Sequence, residues 1–545
     1  MQGTGYDSPV SVIERTGTRN LRFLQPSDID TRRLTSLDRF VWVLLAIFVL
    51  PAGIFAQGSD VPTSQIERLR GGVIGMNLKW SGEAFSAGLG SRADAMGGSI
   101  STLFPDPESI SSNPAGLAFT KGLRLTLDWS PPVTIDPTVF ARPFGIGDVE
   151  DEINESLRDA ARNNSPGGIL KPETVQDAVV NSRLDMRGGL KGGVVSYGTS
   201  TFALAASFYQ PFRLEAQFNV SGVEFLAVAL DDGGNESQRI FGTVNGNLNA
   251  NLNVENSSIG LGIRFLPNLS GGIAYDNLNG EINFAGTFLP EGIIRSAGGD
   301  SRAFNDPTRI QYDSLFATIN GDWEGRTQRI RLGVGYHPTR HISLDATFTT
   351  PYRMKLSGPF SMIHNSIRAL DLNAEGDEEV LDVDILVEDN LTKTEKKITQ
   401  ASGFELQGPG SLTMGFSAGW GNYVASFVYS KYFDNLGYRF RYEQFDSLLV
   451  QTKEGEIHQG MKLASSFRLG IGVEQLILGL GLLFGETFKS TIENQKQPTL
   501  SKPDDFLLPF FSLGGGIKFS SHLRVDYVLS LYNSSFFRFS TTYRL

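Results

Sequence analysis

The sequence predicts an all-β membrane protein: an antiparallel transmembrane β-barrel of about 14 strands, with an N-terminal hatch plugging the lumen. Three observations predict it. The 545 residues include 61 Gly and 38 Phe, no Cys and only 5 His, with a formal charge of −11. From residue 120 onward, apolar and polar residues alternate in segment after segment, which gives each strand one apolar and one polar face. Short turns and long polar segments also alternate along the chain, as they do in bacterial barrels with tight periplasmic turns and extended outer loops.

The same composition excludes other classes. Without Cys there are no disulfides, thiolate metal sites or Cys nucleophiles, and five His leave little for a zinc or His-based centre. The acidic balance argues against nucleic acid. Mean hydropathy is too low for a bundle of membrane helices.

Taken in order, the first element is an export signal. "RFVWVLLAIFVLPAGIFAQG" (39–58) has a basic flank, an apolar run and a small residue at Ala56. The run is too short to span a membrane, which takes roughly 20 residues. Residues 1–56 therefore read as an N-terminal extension plus a signal peptide that is removed, and the long polar prefix points to a misassigned start codon. Residues 57–120 read as a periplasmic entry and hatch segment. Within it, "SRADAMGGSISTLFPDPESISSNPAGLAF" (91–119) suits neither helix nor strand, being rich in Gly and Pro. A barrel of about 14 strands is too wide for its own side chains to fill, and a compact stretch of small residues just before the first strand is suited to fill it.

Residues 121–545 read as the barrel. "LRLTLDWSP" (123–131) is the first strand. In "RVDYVLSLY" Val525, Tyr527, Leu529 and Leu531 share one face. In "FFRFSTTYRL" Phe537, Phe539, Tyr543 and Leu545 oppose Arg538, Ser540 and Arg544. Short turns are expected at 198–200, 266–268, 337–341, 421–422, 473–475 and 520–522. Long outer loops are expected at 137–187, 219–237, 288–308, 359–401, 441–459 and 489–505, the largest being 137–187 and 359–401. Within the first of these, "GDVEDEINESLRDAARNN" (147–164) carries helical spacing, and "PETVQDAVVNS" (172–182) suggests a second helix.

The stretches "FSAGLGSRADAMGGS", "SSNPAGLAF" and "GGVVSYGTSTFALAASFYQPFRLEAQF", with the hairpins that follow, resemble the outer-membrane long-chain fatty acid transporter family (FadL-type, TodX-like barrels). Asn113, Pro114 and Ala115 match that family's hatch motif. The resemblance covers roughly residues 84–545. It implies a hatch-plugged 14-stranded barrel of the bacterial outer membrane, monomeric and surrounded by outer-membrane lipid. Its cargo would be a long-chain fatty acid or a similar hydrophobic molecule, moving by passive diffusion. That cargo would leave sideways through a gap where the third strand kinks. A related branch of the family serves as a protein-secretion accessory, so a protein-docking barrel of the same fold is the alternative. A general porin would need an open lumen.

Pro211 lies inside the third strand and cannot donate to the ladder. It marks the expected kink, lined by Tyr209, Gln210, Phe212 and Arg213. Arg353 and Lys355 share a face that alternation directs inward, with Tyr352, Met354 and Leu356 toward lipid, and Lys355 also matches an inward Lys of the family. The candidate ligand-binding set is thus Arg353, Lys355, Arg213, Tyr209 and Phe212, with Arg264 and Arg331 as further inward cations. Asn283 stands where some relatives carry a basic residue, which leaves room for a neutral cargo. No enzyme, cofactor or metal site is indicated. The Gly-rich stretch 88–98 has no preceding strand and no Lys-Ser/Thr after it, so it is not a phosphate loop, and no Ser–His pair shares a barrel face.

Overall fold

The computed structural model describes residues 64–82, 88–104, 106–135, 175–177, 179–230, 236–296, 301–304, 316–367, 394–446, 451–493, 499–500, 504–531 and 537–545. The signal segment and the helix expected at 147–164 lie outside them. In chain order the strands are β1 (Ser64–Arg70), β2 (Val73–Gly82), β3 (Gly122–Ser130), β4 (Val133–Ile135), β5 (Val175–Gln176), β6 (Val179–Met186), β7 (Gly189–Gly198) and β8 (Phe202–Leu230). Then come β9 (Glu236–Leu266), β10 (Leu269–Ser296), β11 (Ser301–Phe304), β12 (Phe316–Thr339), β13 (Ile342–Thr349), β14 (Tyr352–Ser357), β15 (Phe360–Ile367) and β16 (Thr394–Gly408). The series ends with β17 (Gly410–Trp420), β18 (Tyr423–Phe433), β19 (Leu436–Asp446), β20 (Gln451–Val473), β21 (Leu476–Glu493), β22 (Thr499–Leu500), β23 (Asp504–Lys518), β24 (Leu523–Leu531) and β25 (Phe537–Arg544).

Fourteen antiparallel staves close the wall. Each pairs with the next in sequence, and β25 returns to pair with β3, Phe539 opposite Trp129. Several staves are interrupted and continue in line, among them β3–β4, β6–β7, β13–β15, β16–β17 and β18–β19. All six expected short turns fall at stave ends. The expected long loops are a different matter. Much of 219–237, 288–308 and 441–459 is strand, and β9 alone runs 31 residues. Crossing a bilayer takes about 9–11 strand residues, so most of β9 stands clear of it. The second expected helix, 172–182, is also overturned: β5 and the start of β6 occupy it, because Val175, Val179 and Val180 find ladder partners.

The wall changes character halfway up. In the half that ends in short turns, the outward side chains are Leu125, Leu127, Leu204, Phe208, Leu332, Val334, Phe416 and Leu480, all exposed. The inward ones are mostly Ser, Thr, Gly, Ala and buried charges, with a few apolar residues such as Val194, Val424, Ile477 and Val528. In the half nearer the long loops the order is reversed: Gln217, Asn249, Glu324, Gln328 and Arg441 face out, while Leu214, Leu252, Ile282, Trp323, Met354, Phe404 and Phe440 form a buried core. A belt of irregularities lies between the halves. β8 slips register between Tyr209 and Phe212. The chain breaks at Thr350–Pro351, at Pro409 and around Asp434, whose φ is 64°, and β20 shifts between Leu463 and Ser465. One extra residue in a strand moves every later side chain to the other face. An apolar outer band with a polar interior is what a membrane requires, and a polar exterior over an apolar core is what water requires.

The segment expected to be one hatch is divided. Residues 64–82 form β1 and β2, which lie in the wall itself, between the second and third staves. Residues 88–119 fill the lumen of the lower half, with short helices at Ser91–Ala95 and Ser109–Ser112 and a 3-10 turn at Pro114–Phe119. The small residues of this plug, and the Gly residues opposite them, serve close approach. A Cβ on Gly272 would collide with the Pro114–Ala115 backbone, and one on Gly470 with the Met96 backbone.

Candidate functional site

The site is the space between the plug below and the aromatic core above. Its floor is held by buried charges of the wall that grip the plug. Arg331 bonds Asp276 at 2.5 Å and donates to the Ile110 carbonyl at 2.6 Å. Arg538, 1% exposed, pairs with Asp94 at 3.0 Å and Asp128 at 3.1 Å and donates to the Gly88 carbonyl. Asp345 accepts from the Thr102 hydroxyl and backbone N–H. Charge-assisted bonds of this kind are roughly twice as strong as neutral ones. Glu108 of the plug is the exception. Its Oε1 has no hydrogen-bond partner among the described residues, and burial, then the neighbouring Asp128, pushes its carboxyl well above the ordinary 4.5.

The roof is aromatic. Trp323 stacks on Phe360 at 5.0 Å and Phe404 at 4.9 Å, meets Phe284 edge-on, and donates its indole N–H to the Gly358 carbonyl. Tyr438 stacks on Phe404.

Between floor and roof is a cavity of about 330 Å³. That is within the usual size of small-molecule sites. Its lining is amphipathic. Leu252, Val254, Leu278, Leu406, Val428 and Met461 supply apolar surface, and Thr347, Ser411 and Ser430 supply hydroxyls. Arg329, Arg331 and Arg468 also line it, and among the described residues no carboxylate does. Arg329 is the accessible cation. Its Nε donates to Asp276 at 2.8 Å, its guanidinium lies 5.9 Å from the Tyr352 ring, and its terminal nitrogens have no protein partner among the described residues. Asp276 is shared with Arg331, so one negative charge serves two positive ones. The cavity carries an excess of positive charge.

The sequence-derived candidates distribute unevenly around this cavity. Tyr209, Pro211 and Phe212 line it. At Pro211 the ladder steps from Tyr209 opposite Asn256 to Phe212 opposite Val254, so two residues of β8 face one of β9. That is the bulge a missing N–H predicts. Arg213 is spent on an ion pair with Glu215 at 3.0 Å, which Arg187 also contacts. Arg264 lies over the Phe119 ring at 4.5 Å, and Asn283 donates to Glu281. Asn113 caps the 3-10 turn, accepting from the Ala115 N–H and donating to the Ile100 and Val334 carbonyls, while Pro114 begins that turn and Ala115 is fully buried.

Arg353 and Lys355 correct the reading. Both stand exposed on the outer face, Arg353 3.9 Å from Asp434. Met354 and Leu356 are the buried ones, and Tyr352 lines the cavity. In β13 the odd residues Ser343, Asp345 and Thr347 point inward; after Thr350–Pro351 the even residues do. Simple alternation fails here because the proline break inverts it. Arg329 and Arg468 are functional candidates that sequence reasoning missed. For Arg329 the signal is present, since "RIRLGVGY" places it on the same face as Arg331.

No protein-family model and no curated protein matches the chain. Among solved structures it is similar to the Ralstonia pickettii toluene transporter TbuX, at 12% identity and a TM-score of 0.41 over 85% of this chain and 99% of that one. It is also similar to a Pseudomonas aeruginosa FadL homologue, at 13% identity and a TM-score of 0.42 over 85% of this chain and 98% of that one. For the Pseudomonas putida toluene transporter TodX the values are 13% and 0.36 over 88% and 97%. What this barrel holds is therefore argued from its own cavity.

Proposed function

We propose that the protein is a monomeric bacterial outer-membrane transporter of long-chain fatty acids or similar hydrophobic molecules that carry an anionic head, working by passive diffusion. The observation that carries the proposal is the cavity: apolar on most of its wall, positive at Arg329, and lined by no carboxylate among the described residues. A long aliphatic chain gains from leaving water at about 0.8 kcal/mol per CH₂, and a carboxylate finds in Arg329 a planar cation with free donors. The plug beneath blocks straight passage, while Tyr209, Pro211 and Phe212 bring the cavity to the wall at its bulge. That supports a sideways exit into the lipid that surrounds the barrel.

The test is a detergent titration with a fluorescent long-chain fatty acid, displaced by oleate or by a neutral hydrocarbon. Arg329→Gln is expected to weaken binding by about 10- to 100-fold, the worth of a charged hydrogen bond. Lys355→Ala is expected to leave it unchanged. Equal displacement by the hydrocarbon, with no effect of Arg329→Gln, removes the anionic head from the proposal but keeps transport. Absence of saturable binding favours the alternative, a secretion-accessory or protein-docking barrel, for which the water-exposed upper half offers the surface.

A further inference from the structure

The second and third staves are paired only in the lower half. Their last facing pair is Gly192 with Tyr209. Above it, β2 lies between them. It runs parallel to β6, from Val73 opposite Val179 to Trp80 opposite Met186. It runs antiparallel to β8, from Val73 opposite Ser221 to Gly82 opposite Phe212. β1 continues the insertion toward the long-loop end, with Leu69 opposite Val175 and Ser64 opposite Ala229. The upper wall therefore has one more stave than the lower, supplied by the segment that precedes the plug.

Three features set β2 apart from the other staves. Its tip at Gly82 meets β8 at Phe212, beside Pro211 and Tyr209, where the cavity reaches the wall. Among its described side chains only Ile74 is buried, and Leu78 packs on the edge of the aromatic core. One of its two ladders is parallel, the slightly weaker kind. There is also somewhere for its hydrogen bonds to go. β2 is parallel to β6 and antiparallel to β8, so β6 and β8 are antiparallel to each other. If β2 moves out they can pair directly, and neither is left with an open edge. A packed element with two such arrangements is a two-state device.

We propose that β2 is a displaceable stave that gates the sideways exit of the cavity at Tyr209, Pro211 and Phe212. Inserted, it closes the wall above the bulge. As it withdraws, the wall beside those residues opens before β6 and β8 pair, and the cavity's occupant passes to the upper rim of the apolar band. The inference rests on the reading that the cavity carries cargo, and it concerns how that cargo is released.

The chain has no Cys, so introduced pairs report cleanly. Asn77 and Gln217 face each other across β2 and β8, and Asn251 and Asn283 across β9 and β10. Oxidised Asn77→Cys/Gln217→Cys is expected to bind the fluorescent fatty acid in detergent as the unmodified protein does, yet to lose uptake into cells by about tenfold or more, with recovery on reduction. Oxidised Asn251→Cys/Asn283→Cys is expected to keep both. Full uptake with β2 locked overturns the gate while leaving transport intact. Hydrogen exchange decides the matter without any cargo. Amides of residues 73–82 are expected to exchange at least about tenfold faster than those of 248–258, as befits an element that opens locally. Equal protection of the two overturns the proposal even where binding and uptake are confirmed.

Discussion

The lower and upper halves of the barrel are built from the same staves and are inside out relative to each other. Below the belt, Leu332 and Val334 are exposed outward and Arg331 is buried inward; a few residues up the same strand, Gln328 is exposed outward and Trp323 is buried inward. The difference teaches that solvent, not strand propensity, decides which face of a barrel is apolar. The lower half buries a mixed face on the plug, charges such as Arg538 and Arg331 beside apolar contacts of Leu89, Met96, Ile110 and Leu117 with Val194, Ile477 and Val528. The upper half, with no plug among the described residues, packs an apolar core of its own as a soluble barrel does. On β12 the switch is made by composition alone, since its ladder with β10 runs without a shift, whereas β8 and β20 carry an extra residue at the belt.

The comparison is broken most directly from the lower half. Arg538→Met leaves Asp94 and Asp128 buried without their cation. Removing one partner of such a pair costs about 3–5 kcal/mol. The expected outcome is release of the plug, read as new tryptic cleavage within 88–119 and a lowered Tm; an unaltered cleavage pattern would show that the plug is held by its backbone contacts alone. In the upper half, Trp323→Ala removes the centre of the aromatic roof and is expected to destabilise by about 3–5 kcal/mol, with denaturation by urea as the readout and the lower half's plug still protected. If both halves melt together, they are one cooperative unit.

Two substitutions on one strand sharpen the boundary. Leu332→Arg places a charge in the apolar band and is expected to cost about 2–4 kcal/mol. Gln328→Arg, four residues higher and also outward, is expected to cost within about 0.5 kcal/mol. Equal costs, measured by reversible unfolding in vesicles, would move the membrane edge above Gln328. The last prediction concerns Glu108. A carboxyl raised in the folded protein contributes its full stability below 4.5, its ordinary value, and loses it as pH rises through the folded value. Glu108→Gln is therefore expected to stabilise the plug at neutral pH and to make no difference at acid pH, by thermal scans at the two conditions. Destabilisation at neutral pH would mean that the charge itself holds the plug.

The wall was legible because its signals are local. Alternation and turn residues sit within a few positions of one another, so β3, β24, β25 and all six hairpin turns follow from the sequence. Asn113-Pro114-Ala115 reads as a turn for the same reason. What escaped depends on distant partners. Nothing within "VIGMNLKW" says that it inserts between β6 and β8, over a hundred residues away. The polarity of Arg353 and Lys355 escaped because Pro351 resets the alternation, and the extra residue shows only when the ladders on either side are compared.

The apolar band has a further consequence, set by its height. That height is uneven. The exposed apolar side chains run over seven residues on β3 (123–129), β8 (202–208) and β12 (330–336), but over thirteen on β23 and the turn after it (507–519). At about 3.3 Å per residue and a tilt near 40°, that is roughly 18 Å along the membrane normal on one side and roughly 33 Å on the other. Ordinary hydrocarbon cores are about 30 Å thick. The lipid is therefore compressed on the β3–β12 side alone, and the membrane is softened beside the stave where β2 ends.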